Sequence, residues 1–341
     1  MPETQTLSEQ ELRAIAERAL PSWDLLPDQI ELISRSENTV FRIDIADGRC
    51  FALRIHRPGY HSLPELVSER QWTAALNEAG VHVPAGRPTT DGDGYVSIAT
   101  DDGARGRVVG LVDWVEGVSL GDEIERETDP AVIAGHFEQL GGIAAAIHNQ
   151  SSGWPLPSGF VRHAFDVPGY VGETPFWGRF WALPPLGPAQ REILSHARDQ
   201  IEAALTAYGQ APQTYSLIHA DLHPANILVD AAGLHVIDFD DAGFGWHLYE
   251  FAVALYSYEG EPYYDTLRDA LLTGYRVLRP FAAEDADLLP LFLLLRRLVI
   301  LGWIWDRPEL GYRDHLPEQI DAACSRVEAF DFDFVRDRLR E

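Results

Sequence analysis

The residues from His219 to Asp240 carry most of the chemistry available to this sequence. They read His219-Ala220-Asp221-Leu222-His223-Pro224-Ala225-Asn226, then two apolar runs, then Asp238-Phe239-Asp240. Ile227–Asp230 and Leu234–Ile237 read as strands, and Ala231-Ala232-Gly233 has the length and terminal glycine of a hairpin loop. If Asp230 pairs with Leu234, Ile227 pairs with Ile237 and Asn226 lies opposite Asp238. Directly opposed residues have Cβ atoms about 5 Å apart, close enough for both side chains to reach one cation. A bulge at Gly233 would shift this register by one residue. Asn226 offers a neutral oxygen and Asp238 an anionic one; magnesium takes one or two protein oxygens and completes its shell with water and phosphate. Asp221 precedes Asn226 on the loop into the hairpin and faces the same space. A carboxylate there can accept the proton of an attacking hydroxyl and orient it toward a γ-phosphate.

These residues need elements to position them. Tyr215–His219 reads as a short strand leading into the loop. The rest of the C-terminal two thirds is mostly helical by periodicity, over about 129–149, 188–208, 248–258, 262–278, 285–305 and 316–340. The stretch 151–187, rich in Pro, Gly and aromatics, receives no assignment. The N-terminal part has a different pattern. A helix over 8–20 opens with a Ser8/Glu11 capping box, and one over 63–79 opens with Ser62/Glu65 and ends at Gly80. Strands are expected at Ile30–Ile33, Val40–Ile45, Cys50–Ile55, Tyr95–Ala99 and Val108–Val115. Glu116-Gly117 looks like a linker, so the expected division is an α+β lobe over 1–116 and a larger helical lobe over 117–341.

Composition narrows the function. All 27 basic residues are arginine, so a Walker A loop, a pyridoxal Schiff base and a lysine nucleophile are excluded. Any cation that grips a phosphate is an arginine, a metal or a helix N-terminus. The formal net charge of -26 argues against nucleic acid as a partner and is compatible with a cationic substrate. Cys50 and Cys324 stand far apart, with no disulfide or zinc pattern. The polar N-terminus MPETQTLSEQ is not a signal peptide, and the apolar run Leu288–Trp305 is interrupted by Arg296 and Arg297. That run reads as a buried helix and not a membrane span, so the expectation is a reduced, cytoplasmic protein.

The H-x-D-x-x-x-x-N pattern, the hairpin and the following aspartate resemble the catalytic and metal-binding loops of protein kinases. The wording H-A-D-L-H-P-A-N-I-L-V-D … V-I-D-F-D is more specifically similar to the aminoglycoside phosphotransferase and choline kinase-like family. The resemblance implies a bilobal protein-kinase-like fold and transfer of the γ-phosphate of ATP, with Mg2+, to a hydroxyl of a small molecule, an aminoglycoside, an amino alcohol or a sugar-like acceptor. It implies Asp221 as catalytic base, Asn226 and Asp238 as magnesium ligands, and His219 as structural support of the loop. Arg54 falls where the family usually has the phosphate-gripping lysine, with Glu69 as its ion-pair partner. The nucleotide loop falls at Ser34–Thr39, with Ser36 and Asn38 as polar contacts, and Leu111–Val115 is the expected hinge. Two alternatives are a stress-response-type kinase acting on a protein hydroxyl and a nucleotide-binding pseudokinase, whose sequence support is Arg54.

Overall fold

The computed structural model describes residues 7–36, 38–100, 106–231 and 233–340. The expectations for Glu37, for Ala232 and for the first six residues lie outside them, as do residues 101–105 between two of the expected strands. The chain divides into two compact units. The first comprises Met1–Val118, Leu156–Val161 and Leu228–Ile237; the second comprises Ser119–Pro155, Arg162–Ile227 and Asp238–Glu341.

The first unit is built on an antiparallel sheet of β1 (Pro27–Arg35), β2 (Thr39–Ile45), β3 (Cys50–Ile55), β4 (Tyr95–Ile98) and β5 (Arg107–Asp113), in the order β1-β2-β3-β5-β4. Strict alternation in β2 and β3 puts Phe41, Ile43, Leu53 and Ile55 on one face. There they pack with Leu12, Ile15, Ala16 and Ala19 of helix α1 (Glu9–Ala19). Burial of such apolar surface at about 25 cal/mol per Å2 is the main force holding the layer. The Ser8/Glu11 capping box forms, with Ser8 N–H donating to Glu11 Oε2 at 2.7 Å. Helix α2 (Leu63–Glu78) likewise begins at the Ser62/Glu65 box, and Gly80 follows it at φ +88°. The expected hairpin forms as strands Ile227–Asp230 and Gly233–Val236, with Gly233 N–H donating to Asp230 Oδ1 at 3.0 Å.

The second unit is mainly helical. Its longest helix, Pro130–Gly153, packs on Tyr264–Leu278. Gly141 and Gly274 allow this: a Cβ on either would overlap a carbonyl oxygen of the opposite helix. The apolar helix Leu289–Trp305 is a core element. The stretch Ala283–Trp305 is long and apolar enough to cross a membrane, yet its apolar window is 67% buried inside the protein. The helix expected over 316–340 is two helices, Leu316–Glu328 and Phe332–Arg338, because Asp331 Oδ1 accepts the Phe334 N–H and caps a new start. The unassigned stretch contributes Ala164–Phe165, a strand that pairs in parallel with Gly243–Trp246. Tyr215–Ile218 completes this three-stranded sheet on the other side, antiparallel.

Candidate active site

The strand Tyr215–Ile218 delivers the chain into the loop His219–Asn226. At Ala220 the backbone is left-handed, φ +65°, a conformation that costs a non-glycine residue roughly 1–2 kcal/mol. The loop keeps it because Glu250, on helix His247–Leu255, accepts the N–H groups of both His219 and Ala220 at 2.8 Å. Glu250 is 1% exposed. Burial raises its carboxyl above the usual range, while the two N–H donors and His219 favour the anion. Behind it stands His148, whose Nε2 lies 3.6 Å from Glu250 Oε2 and whose Nδ1 meets Tyr275 OH at 2.8 Å.

The turn of backbone at Ala220 sets the direction of Asp221. Both oxygens of that carboxylate are engaged. Oδ2 accepts from Asn226 Nδ2 at 3.0 Å and faces His223 Nε2 at 3.2 Å, while Oδ1 accepts from Arg296 Nη2 at 2.8 Å. His219 closes the loop from inside, with Nδ1 accepting the Asp221 N–H at 3.3 Å and its ring against Phe239. Arg296 is itself fixed. Its Nη1 donates to Tyr249 OH at 3.2 Å, and its guanidinium lies 5.2 Å from the centre of the Trp177 ring. Burial works against ionisation of Asp221, but His223, Arg296 and His219 outweigh it and hold the carboxyl well below the usual carboxylate range. Asp221 is therefore an anion across the physiological range.

Asn226 is buried, and its amide nitrogen is committed to Asp221, at 2.9 Å from the backbone oxygen as well as 3.0 Å from Oδ2. This fixes the amide orientation and leaves Oδ1 as a free oxygen without a hydrogen-bond partner among the described residues. Asp238 follows the hairpin at φ +62°, with an exposed side chain. A neutral amide oxygen and an exposed carboxylate are hard donors of the kind that Mg2+ takes. In the first unit, Arg54 Nη1 stands 3.4 Å from Glu69 Oε1, both side chains mostly buried. Ser36 is exposed, and its N–H donates to Asn38 O at 3.1 Å. Asn38 Oδ1 accepts the Arg57 N–H at 3.1 Å, tying the β1–β2 turn to the end of β3.

The phosphotransferase enzyme family model matches residues 29–281. This chain belongs to that family. It is 33% identical to a microcompartment-associated aminopropanol kinase of known structure, over 93% of this chain and 94% of that one, with a TM-score of 0.77. A homoserine kinase of Pseudomonas aeruginosa is 28% identical over 299 residues, covering 86% of this chain and 85% of its own. An amicoumacin kinase solved in complex with AMP-PNP, Ca2+ and Ami shares the fold, with a TM-score of 0.76 at 19% identity over 96% of this chain and 97% of its own. The protein-kinase-like α+β fold and the small-molecule kinase activity expected from the sequence both hold.

Three charged residues that hydrogen-bond to these loops were not singled out from the sequence. Glu250 had a signal, an acidic residue inside the otherwise apolar His247-Leu-Tyr-Glu-Phe-Ala-Val-Ala-Leu255. Arg296 had one too, since it interrupts an apolar helix, but that charge spoke only to the membrane question. Arg162 lies in the stretch without a periodic pattern and had none. A cleft of about 610 Å3 in the second unit is lined by Glu259, Tyr264, Arg297 and Arg326 among others, and by none of the loop residues.

Proposed function

We propose that this kinase transfers the γ-phosphoryl group of ATP, with Mg2+, to the hydroxyl of a small amino alcohol or a closely related amine. The observation that carries the reading is the Asp221 carboxylate, ionised and held at both oxygens by Asn226, His223 and Arg296. A carboxylate held so far below its usual range is a weak base. Its work is to align the acceptor O–H and to receive the proton late, as the bond to phosphorus forms, which suits a loose phosphoryl-transfer transition state.

Asn226 Oδ1 and the Asp238 carboxylate are the ligands for Mg2+. When bound, the ion offsets the negative charge that builds on the phosphate oxygens. Arg54, braced by Glu69, takes the place of the phosphate-gripping lysine, and its planar fork binds phosphate by two points where an ammonium uses one. Ser36 and Asn38 belong to the turn over the phosphates. The cytoplasm is the compartment that supplies ATP to such a reaction.

The acceptor class rests on two supports. The aminopropanol kinase is the structure related to this chain at 33% identity over almost its full length. The formal net charge of -26 is the second, since an acidic protein draws an acceptor that carries an ammonium group. The homoserine kinase similarity supports a second reading, a hydroxy amino acid carrying the same amine plus a carboxylate. ADP release measured over amino alcohols, homoserine, choline-like alcohols, hexosamines and aminoglycosides tests the choice. Amino alcohols are expected to give the highest kcat/KM. A preference for homoserine moves the assignment to the second reading, and no acceptor-stimulated ADP release from any amine sinks both.

A further inference from the structure

The loop that carries Asp238 has no regular structure of its own, and a buried arginine holds it. Arg162 is 8% exposed. Its Nε donates to Ala242 O at 2.5 Å, and its Nη2 donates to Asp240 O at 2.7 Å and Phe239 O at 3.3 Å. The neighbouring His163 ring reaches the remaining carbonyl, with Nε2 3.1 Å from Asp241 O. Four consecutive carbonyls, 239 to 242, are thus met by two adjacent side chains. The backbone then joins in: Phe244 N–H donates to His163 O at 3.0 Å, and Ala164–Phe165 pairs in parallel with Phe244–Gly245. His163 is stacked on Phe176 at 3.8 Å between ring centres, which fixes its plane. Gly243 completes the fit, since a Cβ there would lie 2.7 Å from His163 O.

This grip begins one residue after Asp238, whose φ of +62° is unfavourable for a side chain and needs outside support. A guanidinium is the side chain suited to the task, because its fixed fork of donors spans several carbonyls at once. We propose that Arg162 is a positioning residue for the divalent metal ion: by holding the 239–242 carbonyls it fixes the direction of the Asp238 carboxylate. The proposal rests on the reading of Asp238 as a metal ligand. Arg162 acts through the loop, as the groups behind metal ligands commonly do, with losses of 10- to 100-fold in metal affinity when they are removed.

The test uses the full chain with Arg162→Lys and Arg162→Met, beside Asp238→Asn. Mn2+ binding is followed by the electron paramagnetic resonance of the free ion, with AMP-PNP present throughout. The Mg2+ concentration for half-maximal activity, the acceptor KM and the unfolding temperature are measured alongside. Both Arg162 variants are expected to weaken Mn2+ binding, by about 10- to 100-fold for Met and less for Lys. Acceptor KM should stay within about twofold of wild type, and excess metal should restore most of the lost rate. If the Met variant does not fold, the Lys variant, which keeps the buried charge, decides. The proposal is overturned if the variants bind Mn2+ as wild type does, or if their rates fall equally at every metal concentration. If Asp238→Asn leaves Mn2+ binding unchanged, the metal reading of Asp238 itself fails, which is a separate result.

Discussion

The loop that ends at Asn226 and the loop that begins at Asp238 face one difficulty and meet it with opposite charges. Each contains a non-glycine residue in the left-handed region, Ala220 at φ +65° and Asp238 at φ +62°. The first is held through its N–H groups by the buried carboxylate of Glu250. The second is followed by carbonyls held by the buried guanidinium of Arg162. A buried charge is costly unless hydrogen-bonded, and a strained loop is costly unless supported. Pairing them lets the peptide dipoles of the loop solvate the ion while the ion fixes the loop. The lesson is that a charge within an apolar segment can mark a backbone that needs holding, even where that charge takes no part in the reaction.

The largest break in the comparison is at Asp221, the proposed base. Asp221→Asn loses the proton acceptor and the counter-charge of Arg296, so kcat should fall by about 10^3-fold, and the unfolding temperature should fall as well because Arg296 is left without an anion. A variant as fast as wild type in an ADP-release assay would remove Asp221 from the mechanism. Next comes the anchor behind it. Glu250→Ala leaves two buried N–H groups without acceptors, so unfolding stability should drop by about 3 kcal/mol, read from urea titration. The catalytic rate should fall about 10^2-fold as Asp221 loses its aim. Glu250→Gln, which can still accept one of the two bonds, should lie between.

Arg54, proposed above as the phosphate grip, sharpens the contrast: its Nη1 stands 3.4 Å from Glu69 Oε1. Arg54→Ala should raise the KM for ATP about tenfold with a smaller change in kcat, the loss of one charge-assisted hydrogen bond. An unchanged KM would remove Arg54 from the nucleotide site. The smallest effect is on pH and stability. Burial lowers the pKa of His148 and of His247, stacked on it at 4.0 Å, well below the ordinary 6.5, so both stay neutral in the folded protein. Below pH 6.5 the unfolded chain takes up protons that the folded chain refuses. Their contribution is therefore intact above that pH and is lost as pH falls, by up to about 1.4 kcal/mol per pH unit for each ring. His247→Asn should make the stability profile shallower between pH 6.5 and 5 than that of wild type; an unchanged slope would mean that His247 charges in the folded state.

Local signals explain what could be read from the sequence. Capping boxes at Ser8 and Ser62, the alternation in β2 and β3, and the H-x-D-x-x-x-x-N spacing act over a few residues, and the structure follows them closely. The anchors act over distance. Glu250 reaches a loop 30 residues earlier, and Arg162 holds carbonyls about 80 residues later. No periodicity encodes such contacts. The strand Gly243–Trp246 was missed for a related reason: Gly-Phe-Gly-Trp has little strand propensity, and it is strand only because Ala164–Phe165 and Tyr215–Ile218 flank it. The break near Asp331 was missed because an apolar stripe continues past it, while a single side chain capped a new helix.

The parallel pairing of Ala164–Phe165 with Gly243–Trp246 has a consequence for how the enzyme is born. Closing a loop of that length is an entropic cost met before any reward, so the contact forms late in folding. On the ribosome, a nascent chain that has exposed the whole H-A-D-L-H-P-A-N motif still lacks Glu250 and Arg296. It carries the letters of a kinase without its geometry. Activity should therefore arrive in one step, once the Leu289–Trp305 helix has emerged and docked.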